Sequence, residues 1–480
     1  MKVHLRNPSS YTPIHESRWS SLQGPKSLTL GSQEKQNYEQ IAQFSQNDAK
    51  AYVKYEHYLN DIVSAVEPLL DLSAASAQDM LTGSFLQRLK TYIQNPEMRH
   101  TVSTWNSLGE NVAPLLELIT APATKILDRW FESEPLKATL ATDAVIGAMV
   151  SPYNAGTGYV LLHHVMGELE GIKGAWGYPE GGMGGVTQAM ASAARSFGVH
   201  IFTGKAVQQI LCNGEQGVSG IVLDDGEEYN SKLVLSNATP HTTFLQLLPK
   251  NTLDSQFEAA VKSIDYTSPV TKINVAVSRL PTFSADPCGG AGQQGPHHQT
   301  TIHLNCESTE MLDRAYRDAQ LGKISDRPML EMVIPSSLDK TLAPPGAHVC
   351  LIFSQYTPYT LTGGQTWDKE TKENYAKKIF LNIDEYAPGF SSSVVGYEVL
   401  SPPDLEEIFG ITGGNIFHGS MSLDQLFILR GAAVGGTPSP RTPVRNLLLC
   451  GSGAHPGGGV MGSAGLLAAR EALRLLFSSR

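Results

Sequence analysis

Asn446-Leu447-Leu448-Leu449-Cys450-Gly451-Ser452-Gly453-Ala454-His455-Pro456-Gly457-Gly458-Gly459-Val460-Met461-Gly462, running on into Ala468-Ala469-Arg470-Glu471-Ala472-Leu473, is the stretch that decides the fold. An apolar run, a turn almost without side chains and an Ala/Leu-rich periodic segment read as a buried strand feeding a helix through a glycine loop. Glycines let backbone N–H groups approach a ligand closely, and a helix start brings N–H donors and a partial positive charge. That geometry suits a nucleotide or a flavin. The same spacing also serves a turn where a helix simply packs tightly on a sheet. Residues 457–462 fit G-x-G-x-x-G by letter, but no βαβ unit with a ribose-binding acid follows, so this is not an ordinary dinucleotide fingerprint.

Working outward, 480 residues suffice for two or three domains with large cores, and 41% hydrophobic with 17% charged residues is a globular balance. A net charge of −10 with no basic stripe argues against nucleic acid as a partner. The cysteines Cys212, Cys288, Cys306, Cys350 and Cys450 are odd in number and far apart. They form neither a disulfide framework, nor a redox dithiol, nor a cysteine zinc site, and no metal is expected. No window is long and apolar enough for a transmembrane helix. Lys2, Arg6 and Arg18 give the first 21 residues a faint likeness to a matrix-targeting presequence, which Pro8 and Pro13 interrupt.

In chain order, 1–37 is a loop-like N-terminal segment and 38–170 a helical region. Ser45-Gln46-Asn47-Asp48 predicts a helix cap, and Tyr52, Tyr55, Leu59, Ile62 and Val66 recur at helical spacing up to Pro68. Short helices are expected over Ser73 to Leu118, then Ala121 to Phe131, Leu136 to Met149 with Pro135 in the first turn, and Tyr159 to Leu169. At 171–245 the texture turns α/β. Gly174 to Gly185 is a second glycine turn opening an alanine-rich helix, Val186 to Phe197. Strands are expected at His200–Thr203, Ala206–Leu211, Val218–Leu223 and, buried, Lys232–Asn237. Residues 246–412 mix helices with strands such as Lys272–Val277 and His348–Gln355, around an exposed loop from Asp286 to Gln299; 413–480 returns to the opening strand and helix. The α/β part is therefore built from two distant pieces.

The order Trp176-Gly177-Tyr178-Pro179-Glu180-Gly181-Gly182-Met183-Gly184-Gly185, then Val207 with Ile210, Asp225-Gly226, Val234-Leu235-Ser236-Asn237 and finally Cys450 to Gly459 resembles the phytoene desaturase-like flavoprotein family of carotenoid/retinoid oxidoreductases. The resemblance covers nearly the whole chain from about Val3. It implies a glutathione-reductase-like FAD/NAD(P)-binding α/β sheet with a mixed helical and β substrate domain. It also implies an FAD-dependent oxidoreductase of an apolar, polyene or lipid-like, small molecule in the mitochondrial matrix. By the same resemblance Val207 offers backbone contacts to the adenine, Gly451 and Ser452 lie near the ribityl-pyrophosphate, and Gly458, Gly459, Val460 and Met461 set a helix N-terminus under the flavin ring.

His455 is the titratable group of the loop and the catalytic candidate, set against a loop histidine bonded to local backbone. His163, His164, His297, His298 and His418 read as structural. The family's opening G-x-G-x-x-G unit has no counterpart before Gly171, so the sheet is expected to be incomplete at its N-terminus, with an open edge and an incomplete FAD site. Arg430-Gly431 stands where relatives tend to have Arg-Pro, and Leu466-Leu467 where they tend to have Arg-Asn. The competing reading is a cofactor-deficient interaction or apolar-ligand-binding protein.

Overall fold

The computed structural model describes residues 1–19, 26–73, 80, 82–109, 112–214, 217–288, 290, 292–426, 429–431 and 438–477. Two compact units are each assembled from three stretches. The first takes Met1–Asn60, Leu118–Ile201 and Ser268–Asp404; the second takes Asp61–Glu117, Phe202–Thr267 and Leu405–Arg480. The segment 171–245 is thus shared, 171–201 lying in the first unit and 202–245 in the second.

The first unit is organised on a seven-stranded sheet in the order Val394–Leu400, Val270–Val277, His348–Gln355, Met329–Val333, Thr301–Leu304, Ser10–Pro13, Ser27–Leu30. Neighbours are antiparallel except Thr301–Leu304 with Ser10–Pro13. Ile273, Val275 and Val277 alternate onto one face, as strand periodicity requires. There they share a core with Ile302, Leu330, Met332 and Ile352 and with Tyr375, Ala376, Ile379 and Ile383 of the helix Lys369–Asp384. Each Val, Leu, Ile and Met side chain among them contributes roughly 1.5–3 kcal/mol on burial.

In the second unit Val207–Cys212, Val218–Leu223 and Glu228–Asn230 form an antiparallel three-stranded sheet. Val234–Ser236 pairs in parallel with Leu447–Leu449, joining residues far apart in sequence. Ile210, Val218, Phe244, Val261, Leu447, Leu449 and Ala464 form its core. Among the described residues Val234–Ser236 pairs with no other strand, and Leu235 is 40% exposed, so this segment is shorter and more open than the buried strand expected over Lys232–Asn237. No helix among the described residues is long and apolar enough to cross a membrane.

Ser45 accepts from the Asn47 and Asp48 N–H groups, both at 3.1 Å, and the helix Gln46–Leu70 buries Tyr52, Tyr55, Leu59, Ile62 and Val66. It carries Pro68 in its last turn. Between Ser73 and Leu118 lie the short helices Phe85–Gln94 and Pro96–Leu108 and the start of Val112–Thr120, while 74–79, 81, 110 and 111 fall outside the described residues.

Three expectations are corrected. The helix expected over Tyr159–Leu169 runs Thr157–Val165, because Gly167, at φ 115°, breaks it and Glu168–Leu169 turns into a hairpin with Ile172–Lys173. His200–Thr203 is no strand: it lies between the positive-φ glycines Gly198 and Gly204, with Ile201 and Phe202 exposed. The loop 286–299 is not wholly exposed, since His297 and His298 are buried in a turn at Pro296–Gln299. The alanine-rich helix, Met183–Ser196, buries none of its residues.

A buried carboxylate holds a helix start in the first unit. Asp48 accepts from the Glu132 and Ser133 N–H groups at 2.9 Å each and from the Ser133 hydroxyl at 2.5 Å, just ahead of the helix Glu134–Thr142, where negative charge is favoured. Asp48→Ala is expected to destabilise the protein by about 2 kcal/mol. Denaturant midpoints of the two proteins measure this, and Asp48→Asn should recover part of the loss.

Candidate functional site

The strand Leu447–Leu449 is fully buried and delivers the glycine loop to the helix Ser463–Phe477. Cys450 N–H donates to Ser236 O at 2.8 Å, extending the parallel pair by one step. At Gly451 a Cβ would stand 2.4 Å from Asn237 O, so this glycine is required by backbone contact with the neighbouring strand. Turns follow, with Ala454 N–H donating to Gly451 O and Gly457 N–H to Ala454 O.

Beneath the loop lies Arg430, a guanidinium 1% exposed. Its Nε donates to Ser452 O at 2.8 Å, its Nη1 to Ser420 O and Gln425 O, and its Nη2 to Phe417 O at 2.6 Å and Gly419 O. A buried charge is tolerable only when its donors are satisfied, and here backbone carbonyls do this. Five carbonyls drawn toward one planar group fix the loop's inner wall. Gly457 passes over it, its would-be Cβ 3.2 Å from Arg430 Nε, and Gly458 is buried against Phe417. Gly431 has φ 82°, which proline cannot adopt; this accounts for glycine after Arg430.

The sequence marks Arg430 only through its neighbour Gly431. The available signal is an arginine flanked by Leu429 and by Gly431-Ala432-Ala433, with no acid beside it.

The outer rim is different. Gly459, Val460, Met461 and Gly462 are exposed, and nothing lies within 4 Å of where a Gly462 Cβ would stand. Val460, 80% exposed, sits at φ 58°, the left-handed region that a β-branched residue avoids. The first helical bond runs from Leu466 N–H to Gly462 O. N–H groups ahead of it have no acceptor within the helix. Asp71 accepts from the Ser463 hydroxyl at 2.9 Å, a carboxylate at the positive end of the helix.

The candidate residues thus divide. Gly451 and Ser452 form the half-buried inner turn, Gly458 is packed, and Gly459, Val460 and Met461 form the open rim. Val207, at the outer end of its strand, is half exposed, while Ile210 of that strand shares a core with Leu449 and Ala454. His455 is buried, its Nε2 donating to Leu69 O at 2.9 Å and its N–H to Ser439 Oγ, so the structure places it as a support of the loop. His298 likewise donates from Nε2 to Pro281 O and accepts at Nδ1 from Gly295 N–H. Leu467 is buried in the helix interface and Leu466 faces outward.

The flavin containing amine oxidoreductase family matches residues 37–333. The chain belongs to this family. It is 52% identical over 474 residues to pyridine nucleotide-disulfide oxidoreductase domain-containing protein 2 of Rattus norvegicus, covering 99% of this chain and 81% of the relative. It is also 24% identical over 460 residues to a phytoene desaturase (lycopene-forming) of Pseudescherichia vulneris, covering 94% and 80%. The phytoene desaturase-like resemblance is thereby borne out. Among solved structures, an oxidoreductase from Methanosarcina mazei is 18% identical with a TM-score of 0.45, covering 73% of this chain and 68% of that one.

The family's flavin fits what this loop offers. The rim is open, backbone donors are grouped at a helix start, Gly457–Gly462 carry no acidic side chain, and the Asp71 carboxylate at that helix start is engaged by the Ser463 hydroxyl. Arg430→Met leaves buried carbonyls without donors and is expected to cost at least 3 kcal/mol. Arg430→Lys, with three donors in no planar fork, should recover only part. Val460→Gly should instead raise stability by about 1 kcal/mol by relieving the positive φ. Thermal melts of the three variants test this ordering.

Proposed function

We propose that the protein is an FAD-dependent oxidoreductase acting on an apolar, polyene or lipid-like substrate, in a mitochondrial setting. The observation that carries the reading is the open rim Gly459–Gly462 at the start of the helix Ser463–Phe477, following directly on Gly457 and Gly458, which pack against Arg430 and Phe417. Family membership supplies the flavin, and the phytoene desaturase relatives support an apolar substrate. A bound flavin supplies hydride acceptance. The chain's part is positional. Gly459, Val460 and Met461 would bring backbone N–H groups and the helix's positive end to the ring, Gly451 and Ser452 would line the ribityl side, and Val207 would meet the adenine. Arg430 holds the inner turn at Ser452 from which that rim continues.

Purified protein is expected to carry flavin absorbance that bleaches on reduction, or to acquire it on titration with FAD, with Arg430→Met lowering the bound fraction at least tenfold. A colourless chain that takes up no FAD overturns the assignment and leaves the cofactor-free apolar-ligand-binding reading.

A further inference from the structure

A second polar cluster lies inside the first unit, on the seven-stranded sheet. Arg6, His303 and Glu331 are 6%, 5% and 9% exposed. The Arg6 guanidinium lies over the rings of Trp176 and Tyr178, 5.4 and 5.0 Å from their centroids. Its Nη1 donates to Thr301 Oγ1 at 2.8 Å and to Tyr178 OH at 3.3 Å. Among the described residues its Nε has no partner, and neither have the buried Ser10 Oγ and His303 Nδ1, the latter 3.6 Å from Glu331 Oε1. Buried polar atoms are rarely left unpaired, so three in one cluster point to a polar group that completes it.

The charges say which kind of group. Burial pushes Glu331 up to about 8, with the Asp143 charge adding to it and Arg6 opposing. Burial likewise pushes Asp143 up to about 7, again against Arg6. His303 is pushed down to about 3 by burial and by Arg6, and His164, lowered by burial, turns its Nδ1 to Val160 O, so neither histidine adds charge. Tyr52 and Tyr55, which face Asp143, and Tyr178 beside Arg6 are raised by burial and stay neutral. Below about 7 both carboxyls hold their protons, and the cluster carries the single positive charge of Arg6 alone. Above about 8 two carboxylates outweigh it. A cationic ligand would have to sit beside a guanidinium. An anionic one supplies the counter-charge that a buried arginine lacks, and neutral carboxyls can donate to it.

We propose that the Arg6–His303–Glu331 cluster is the head-group site of an amphipathic carboxylate, a long-chain carboxylic acid whose anionic end meets the Arg6 guanidinium and whose apolar chain leaves past the half-exposed Trp176. The inference rests on the reading of the chain as an oxidoreductase of an apolar substrate, and narrows that substrate to a lipid-like acid. Binding is coupled to proton retention by the two carboxyls, so affinity begins to fall as pH rises past the Asp143 value and falls more steeply past the Glu331 value.

Dodecanoate, dodecanol and dodecylammonium, each below its micelle concentration, can be titrated calorimetrically into the full chain one unit below the Asp143 value and one unit above the Glu331 value. Dodecanoate is expected to bind at least tenfold more tightly than either control at the lower pH. Above the Glu331 value it should weaken by about tenfold per pH unit for each linked proton. Arg6→Gln should remove at least tenfold of the affinity. Glu331→Gln should keep binding and remove one proton's share of the pH slope, leaving the part that belongs to Asp143, which decides the matter if Arg6→Gln does not fold. Preference for dodecylammonium, or dodecanoate binding with no pH slope in the wild-type protein, overturns the proposal. An FAD titration on the same sample separates the two readings. FAD uptake without dodecanoate binding sinks only this site, whereas dodecanoate binding without FAD uptake sinks the oxidoreductase reading.

Discussion

The second unit depends on one buried cation. Arg430 gathers the carbonyls of Phe417, Gly419, Ser420, Gln425 and Ser452 around a single guanidinium, and so ties two stretches of irregular backbone to the turn that follows the strand Leu447–Leu449. Irregular backbone cannot satisfy its own polar groups as a helix or sheet does, so without such a donor it would have to reach water. With the donor in place, the inner half of the glycine loop is packed and the outer half is left free to meet a ligand. The glycines therefore serve two purposes within a dozen residues. Gly451 and Gly458 allow close contact inside the protein, and Gly459 and Gly462 leave space outside it.

The first unit handles buried polarity by other means. Asp48 is satisfied outright, by two N–H groups and a hydroxyl at a helix start, and such a carboxylate adds stability. The Arg6 cluster is left partly unsatisfied, with two acids held toward their neutral forms by burial. A completed buried network stabilises a fold, whereas an incomplete one costs stability unless something else binds there. The contrast separates a structural carboxylate from a site, although both sit on the same unit.

Much of the fold was legible in local pattern. The apolar run Leu447–Leu449 and the glycines behind it announce a strand, a loop and a helix, and the spacing of Tyr52, Tyr55, Leu59, Ile62 and Val66 announces a helix with one buried face. Both hold because period and turn chemistry act over a few residues. Local pattern failed at Leu169 and at His200–Thr203, where apolar residues suggested regular structure but positive-φ glycines nearby redirected the chain. It failed again at His297 and His298, since a Gly/Pro/Gln-rich composition says nothing of what a turn is packed beneath.

The sequence by itself determined the strand, loop and helix at the C-terminus and, through ordered motifs, the flavoprotein family, because these are properties of short segments and of their order. Only the tertiary structure decided which loop residues face inward, that His455 props the loop through Leu69, and that Arg6, His303 and Glu331 share one buried cluster. Hydrogen-bond satisfaction and desolvation are set by neighbours outside the local period, some of them hundreds of residues away as with His455 and Leu69, and no local pattern encodes them.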